Sequence, residues 1–153
     1  MKFRDYLLEE MFKSDKGYKA TQRKDGNKIV FDIETDESRD YRFVFTPSGN
    51  ETYIAELGYA TGDKSGITNI TSDFYDTNTL ISTLISIFTG FYMSTENGNI
   101  IKYKFGKNVD KSYKLLVHSI VKKDLAMYFR IKEGSFDSDD LIIFRNGYHG
   151  KEE

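Results

Sequence analysis

The chain has 153 residues, no Cys, no Trp, one Pro and a formal net charge of −2. That length suits one compact domain, able to bury roughly 70% of its unfolded surface, and 39% hydrophobic with 30% charged residues disfavours both a disordered and a membrane class. Zero Cys excludes disulfides and thiolate metal sites, and near-neutral charge makes bulk nucleic-acid binding depend on a local basic stripe.

Phe3, Tyr6, Leu7, Leu8 and Met11 recur at spacings of three and four, with Glu9 and Glu10 on the wet side, which predicts a short amphipathic helix over 1–13. The start, Met1-Lys2-Phe3-Arg4-Asp5-Tyr6, lacks the apolar core of a secretory signal. After Ser14-Asp15-Lys16-Gly17 the period changes to two. Strands are expected at Tyr18 to Arg23, Lys28 to Thr35, Tyr41 to Thr46 and Thr52 to Leu57, separated by turn formers such as Asp25-Gly26-Asn27 and Pro47-Ser48-Gly49-Asn50. Loops this short imply antiparallel hairpins, hence a meander.

A Gly- and Asp-rich stretch follows, with room for a short strand at Gly66 to Ile70. Leu80, Leu84, Ile87, Phe88 and Phe91 form a helical stripe, although the β-branched residues among them favour a strand. Length decides for a helix, N-capped by Asp76 or Thr77. The stretch from Leu80 to Met93 is too short and too polar to span a bilayer. Ile100 to Phe105 reads as a strand, and Tyr113, Leu116, Val117, Ile120 and Val121 as a helix capped by Asp110 or Ser112. Strands at Met127 to Lys132 and Leu141 to Arg145 end the order α-ββββ-α-β-α-ββ. The expectation is α+β: one domain over 14–147, an antiparallel meander sheet with two helices on one face, and a loose tail over 148–153.

Asp32 and Glu34 in Phe31-Asp32-Ile33-Glu34-Thr35 point to the same face of a strand, a placement suited to a shared divalent cation. The string looks like the first motif of the proofreading-exonuclease family, which implies metal-assisted phosphodiester hydrolysis. Asn69, Asp73 and Asp76 fit its second motif poorly, as do His118 and Asp124 its third, and outward acids also suit any half-solvated strand. Asp137-Ser138-Asp139-Asp140 lacks the Gly and Glu of an EF-hand, so it reads as a solvated hairpin. Gly62-Asp63-Lys64-Ser65-Gly66 lacks phosphate-loop spacing and reads as a tight turn. His118 and His149 have no ligand spacing. Lys102, Lys104, Lys111, Lys114, Lys122 and Lys123 make a basic stripe for phosphates, with Tyr92, Tyr103 and Phe105 near enough in sequence to stack bases. Lys is equally the usual filler of a wet helix face. The 11 Tyr and 12 Phe are the stronger anomaly, since Tyr serves protein interfaces as well as cores.

Met1-Lys2-Phe3-Arg4-Asp5-Tyr6-Leu7-Leu8-Glu9 is similar to the N-terminal tags of internal head proteins of large tailed bacteriophages. That resemblance implies delivery into the assembling head and cleavage after Leu7-Leu8-Glu9 or Leu8-Glu9-Glu10, at Glu9 or Glu10. The body, Tyr18 to Arg145, resembles small phage proteins in its meander, its helix like Leu80 to Phe91 and its Tyr-Lys-Leu-Leu helix at Tyr113 to Val121; it differs in carrying Lys111 and Lys114 where such helices often have Arg. The resulting expectation is a non-enzymatic phage accessory protein in the virion or the host cytoplasm, without cofactor or metal. It would bind a head component or host protein through Tyr53, Tyr59, Phe74, Tyr75 and Tyr92. An uncovered sheet edge would also favour a homodimer. The alternatives are a metal-dependent nuclease at Asp32 and Glu34, and a nucleic-acid binder using the Lys stripe.

Overall fold

A computed structural model describes residues 19–35, 40–68, 77–105, 111–134 and 140–148, with backbone alone at 77–79, 111 and 112. The expected helix over 1–13 lies outside the described residues. Four strands follow one another as antiparallel neighbours: β1 (Lys19–Asp25), β2 (Lys28–Glu34), β3 (Tyr41–Pro47) and β4 (Thr52–Thr61). The expected meander is therefore present. Gly26 has φ +63° while Asn27, like every other non-Gly residue among those described, has no positive φ, the pattern of a type II′ turn whose twist suits the β1–β2 hairpin.

β4 continues past Leu57, where a strand end was expected. A Gly in a strand often marks a close approach of backbone, and Gly58 is such a place: a Cβ there would sit 2.5 Å from the Thr68 carbonyl oxygen. β5 (Gly66–Thr68) turns back along Tyr59–Thr61, while β6 (Ile100–Lys104) runs along Thr52–Ala55. Gly58 thus lies between the parts of β4 that pair with β6 and with β5.

The β4–β6 pair is parallel, which departs from the all-antiparallel expectation. The reason is the intervening helix α1 (Thr77–Ser94), which returns the chain to the same end of the sheet before it re-enters. Helix α2 (Lys111–Lys123) then leads to β7 (Phe129–Ile131) and β8 (Asp140–Arg145). The sheet order is β1-β2-β3-β4-β6-β8-β7, with β5 beside β4. Among the described residues the fold is α+β: an eight-stranded, mostly antiparallel open sheet with two helices.

Strand alternation sorts the side chains. Ile29, Phe31 and Ile33 of β2, Tyr41, Phe43 and Phe45 of β3, and Ile101 and Tyr103 of β6 enter one buried cluster with Leu80, Leu84, Ile87, Phe88 and Phe91 of α1. Val117, Ile120 and Val121 of α2 join the same cluster. Phe88 meets Phe43 at 5.8 Å and Phe129 at 5.9 Å, both edge-on, and Phe91 stacks on Phe45 at 4.2 Å. Each such ring stabilises by about 1.5–3 kcal/mol through burial, and a ring pair by about 0.5–1.5 kcal/mol more. The stripe Leu80-Leu84-Ile87-Phe88-Phe91 outweighs the β-branched residues of α1 because it matches this aromatic floor. Ser86 and Ser94 fit the helix by donating to the carbonyls of Ser82 and Gly90.

Candidate functional site

Residues of the other strand parity point away from that cluster. On β2 these are Val30, Asp32 and Glu34, and on β3 Arg42, Val44 and Thr46. Asp32 lies directly opposite Arg42, and Thr21 of β1 opposite Asp32. Arg42 is buried. It donates from Nε to Asp32 Oδ1 at 2.7 Å, from Nη1 to the carbonyls of Thr61 at 3.0 Å and Gly66 at 2.9 Å, and from Nη2 to Gly62 at 3.1 Å. Arg23 donates from Nε to Asp32 Oδ2 and from Nη2 to the Lys64 carbonyl. Lys28 Nζ reaches Ser65 Oγ at 3.3 Å. The β4–β5 turn is held against the sheet by cations meeting its carbonyl oxygens. A phosphate cradle needs the reverse polarity, with N–H groups converging, so the turn reading of Gly62 to Gly66 accounts for this loop.

Burial pushes the Asp32 carboxyl up, but hydrogen bonds from Arg23 and Arg42, with their charges, outweigh it and hold the group below the usual range. Both oxygens are engaged by guanidinium groups, which leaves Asp32 a structural anion rather than an open ligand. Glu34 is on the same face but exposed, 4.0 Å from Lys19 Nζ. Among the described residues no three His, Cys, Asp or Glu side chains group to hold a metal. Asn69, Asp73, Asp76, Asp137, Asp139 and His149 lie outside the described residues. His118 is half-buried on α2, its pKa lowered by burial and by Lys122.

The tyrosines of the expected binding patch are spread along the core. Tyr59 is buried and stacks on Tyr41 at 5.5 Å. Tyr53 is half-buried with its ring edge-on to Phe91 at 5.2 Å. Tyr92 lies beneath the Arg145 guanidinium, 4.2 Å from the ring centroid, and beside Tyr128 at 4.6 Å. Phe74 and Tyr75 are outside the described residues, as are Glu9 and Glu10.

The lysine stripe divides by strand parity. Lys102 and Lys104 are exposed on the face opposite Tyr103, whereas Tyr103 and Phe105 stack together at 4.7 Å and Phe105 meets Tyr113 of α2 at 5.4 Å. Lys114 Nζ stands 5.9 Å from the Phe105 ring centroid, Lys122 and Lys123 are exposed on α2, and Lys111 is described by its backbone alone. The strand lysines and the stacking rings therefore do not share a surface.

Around Lys102 the outward face is mixed. Its cross-strand neighbours are Ile54 and Ile142, and one row along Ile100 pairs with Thr52 and Phe144. Ile54, Ile100 and Ile142 are half-buried, and Arg130 covers Phe144 at 5.2 Å. Three residues that hold the fold were not singled out by sequence reading: Arg23, Arg42 and Arg145. A signal existed for Arg42, the one charge on β3, set between Tyr41 and Phe43, but its meaning depends on the β2–β3 register. No protein-family model and no curated protein matches the sequence.

Proposed function

We propose that this protein is a non-enzymatic accessory protein of a large tailed phage that acts by binding another protein through the outward sheet face around Lys102. The observation that carries the binding reading is the patch itself: half-buried Ile54 and Ile100 flank a cation, Lys102, on a rigid multi-strand platform. Apolar surface supplies affinity there and Lys102, Lys104 and Arg130 favour a partner bordered by carboxylates. The reading takes α1 and α2 to cover one face and leave available that part of the other around Lys102, since over β2 and β3 Val30, Arg42 and Val44 are buried and the β4–β5 turn is tied down to Arg42. Support comes from the contacts of Phe88 with Phe43 and Tyr103, and from Val117 and Val121 lying in the same cluster. It displaces the tyrosine patch, because Tyr53, Tyr59 and Tyr92 pack on neighbouring rings. The phage origin rests on the resemblance of the first nine residues to head-targeting tags.

Cross-linking in infected cells tests the surface. Cross-links should concentrate on Lys102 and Lys104 and disappear in Ile54→Glu; cross-links confined to Lys122 and Lys123 would place the interface elsewhere. Mass spectrometry of purified particles tests the address. A chain beginning at Glu10 or Met11 is expected, and an intact Met1 in mature particles, or no protein at all, contradicts packaging.

A further inference from the structure

β1 ends the sheet on one side. The β1–β2 hairpin closes on Gly26 and Asn27 alone, so Asp25 and Lys28 exchange both backbone bonds and the pattern alternates from there. Lys19, Thr21, Arg23 and Asp25 therefore direct their N–H and C=O groups to β2, while those of Ala20, Gln22 and Lys24 point outward. Among the described residues nothing pairs with that outer side. The strand is seven residues long, without proline or positive φ, and such an edge is a template for another strand. The opposite edge, β7, has only three residues.

We infer that the protein forms a two-fold homodimer in which β1 pairs antiparallel with β1 of a second copy about an axis through Gln22. Parity and charge select this register together. Outward groups meet only when even-numbered residues face even-numbered ones, and axes at Thr21, Gln22 or Arg23 are those that engage at least two of the three outward residues. An axis at Thr21 sets Lys19 against Arg23 of the copy, and an axis at Arg23 sets two arginines face to face. Like charges directly opposite destabilise a sheet. The axis at Gln22 instead places Lys19 opposite Asp25 in both halves and Thr21 opposite Arg23, with Ala20 bonded to Lys24 and Gln22 to its own copy. Arg23 shares the single Asp32 carboxylate with Arg42 and so keeps net positive charge beside it, and Thr21 is an uncharged neighbour for it. Among the described residues β1 is the one long outer edge of each subunit, so the assembly closes at two.

Sedimentation equilibrium of the full chain, from micromolar to millimolar, tests the pairing together with amide hydrogen exchange. The mass should rise from 17.7 kDa toward twice that value, and the amides of Ala20, Gln22 and Lys24 should slow as concentration rises. Asp25→Lys sets lysine against lysine and should weaken the dimer by roughly tenfold or more; adding Lys19→Asp should recover it. Lys24→Pro removes an outward N–H and no β1–β2 bond, so it should leave a folded monomer by circular dichroism. A wild type that stays monomeric, outward amides protected regardless of concentration, or species larger than a dimer overturns the inference. So does a folded Lys24→Pro chain that dimerises as tightly as wild type, or outward amides that slow only when an unrelated extended peptide is added.

Discussion

Replacing Arg42 by Met keeps the stem and removes the guanidinium that joins Asp32 to three backbone carbonyls. Removing one partner of a fully buried ion pair costs about 3–5 kcal/mol. Arg42 is only 6% exposed in its side chain, but Asp32 is 33% exposed and Gly62 lies on an exposed turn, so water recovers part of the loss. The expected cost is about 2–3 kcal/mol, which lowers Tm by roughly 5–10 °C for a chain of this length. Arg23 meets the same carboxylate with both groups about one-third exposed, so Arg23→Met should cost no more than about 1 kcal/mol. The pH dependence gives a second measure. Asp32 titrates below its unfolded value, so its contribution is complete above about pH 4 and is lost as pH falls through the folded value. Urea unfolding followed by circular dichroism at neutral pH and near pH 3 reads both terms. The variant should be weaker at neutral pH and lose less stability on acidification than wild type. An Arg42→Met chain within about 0.5 kcal/mol of wild type, or one less perturbed than Arg23→Met, refutes the role given to this side chain.

Arg145 donates to the carbonyls of Tyr92 at 3.1 Å and Gly98 at 3.2 Å, and to that of Thr95, while lying over the Tyr92 ring; Arg145→Met should cost about 1.5–3 kcal/mol in urea unfolding, and Arg145→Lys should recover little because an ammonium has no planar fork. Thr95 Oγ1 is buried with no hydrogen-bond partner among the described residues, so Thr95→Val should be neutral or raise stability by up to about 1 kcal/mol in thermal scans. Gly58→Ala places a methyl group against the Thr68 carbonyl and should lower Tm by several degrees, with hydrogen exchange accelerated first in β5. Burial raises the pKa of both Tyr103 and Tyr113, whose hydroxyls bond to one another. Folded pKa values above the unfolded ones mean full stability below about pH 10 and loss as pH rises beyond it, so these two tyrosines should ionise only as the chain unfolds, read by tyrosinate absorbance alongside circular dichroism.

The described strands and helices are legible because their rhythm is strong where both ends are marked. Lys28 to Thr35 and Tyr41 to Thr46 alternate cleanly between turn formers, and the structure places their strands within a residue or so of those limits. The misreadings have local causes. Gly58 resembles a strand end in sequence, yet β4 passes through it because a second strand needs the space a side chain would take. The parallel β4–β6 pair is invisible to periodicity, since alternation is the same whichever way a neighbour runs. Alternation puts Asp32 and Glu34 on one face in sequence and structure alike, but a strand read alone does not show that Arg23 and Arg42 both meet Asp32. Charge pairing across strands is set by register, which depends on loops that carry little signal of their own.

The aromatic excess follows the same logic, and it redirects the search for a partner. Phe43, Phe45, Phe88, Phe91 and Tyr103 form a continuous set of edge-on, tilted and stacked pairs, so much of the ring surface is consumed in closing the sheet against the helices. Tyr59 stacks on Tyr41 within the same buried cluster, and Tyr92 meets Phe129 edge-on. A side chain that already stacks on its neighbours contributes to a partner only what area it still exposes, and the gain from docking scales with that remainder. The opposite parity differs in kind. Ile54 and Ile100 retain exposed area beside Lys102, and the strands beneath them are fixed by hydrogen bonds on both sides, so little ordering is needed when a second surface arrives. Substitutions at Tyr53 or Tyr59 should therefore be read as changes in stability, and those at Ile54, Ile100 or Lys102 as changes in recognition. If Ile54→Glu left binding intact while Tyr53→Ala abolished it without loss of fold, that assignment of the two faces would be reversed.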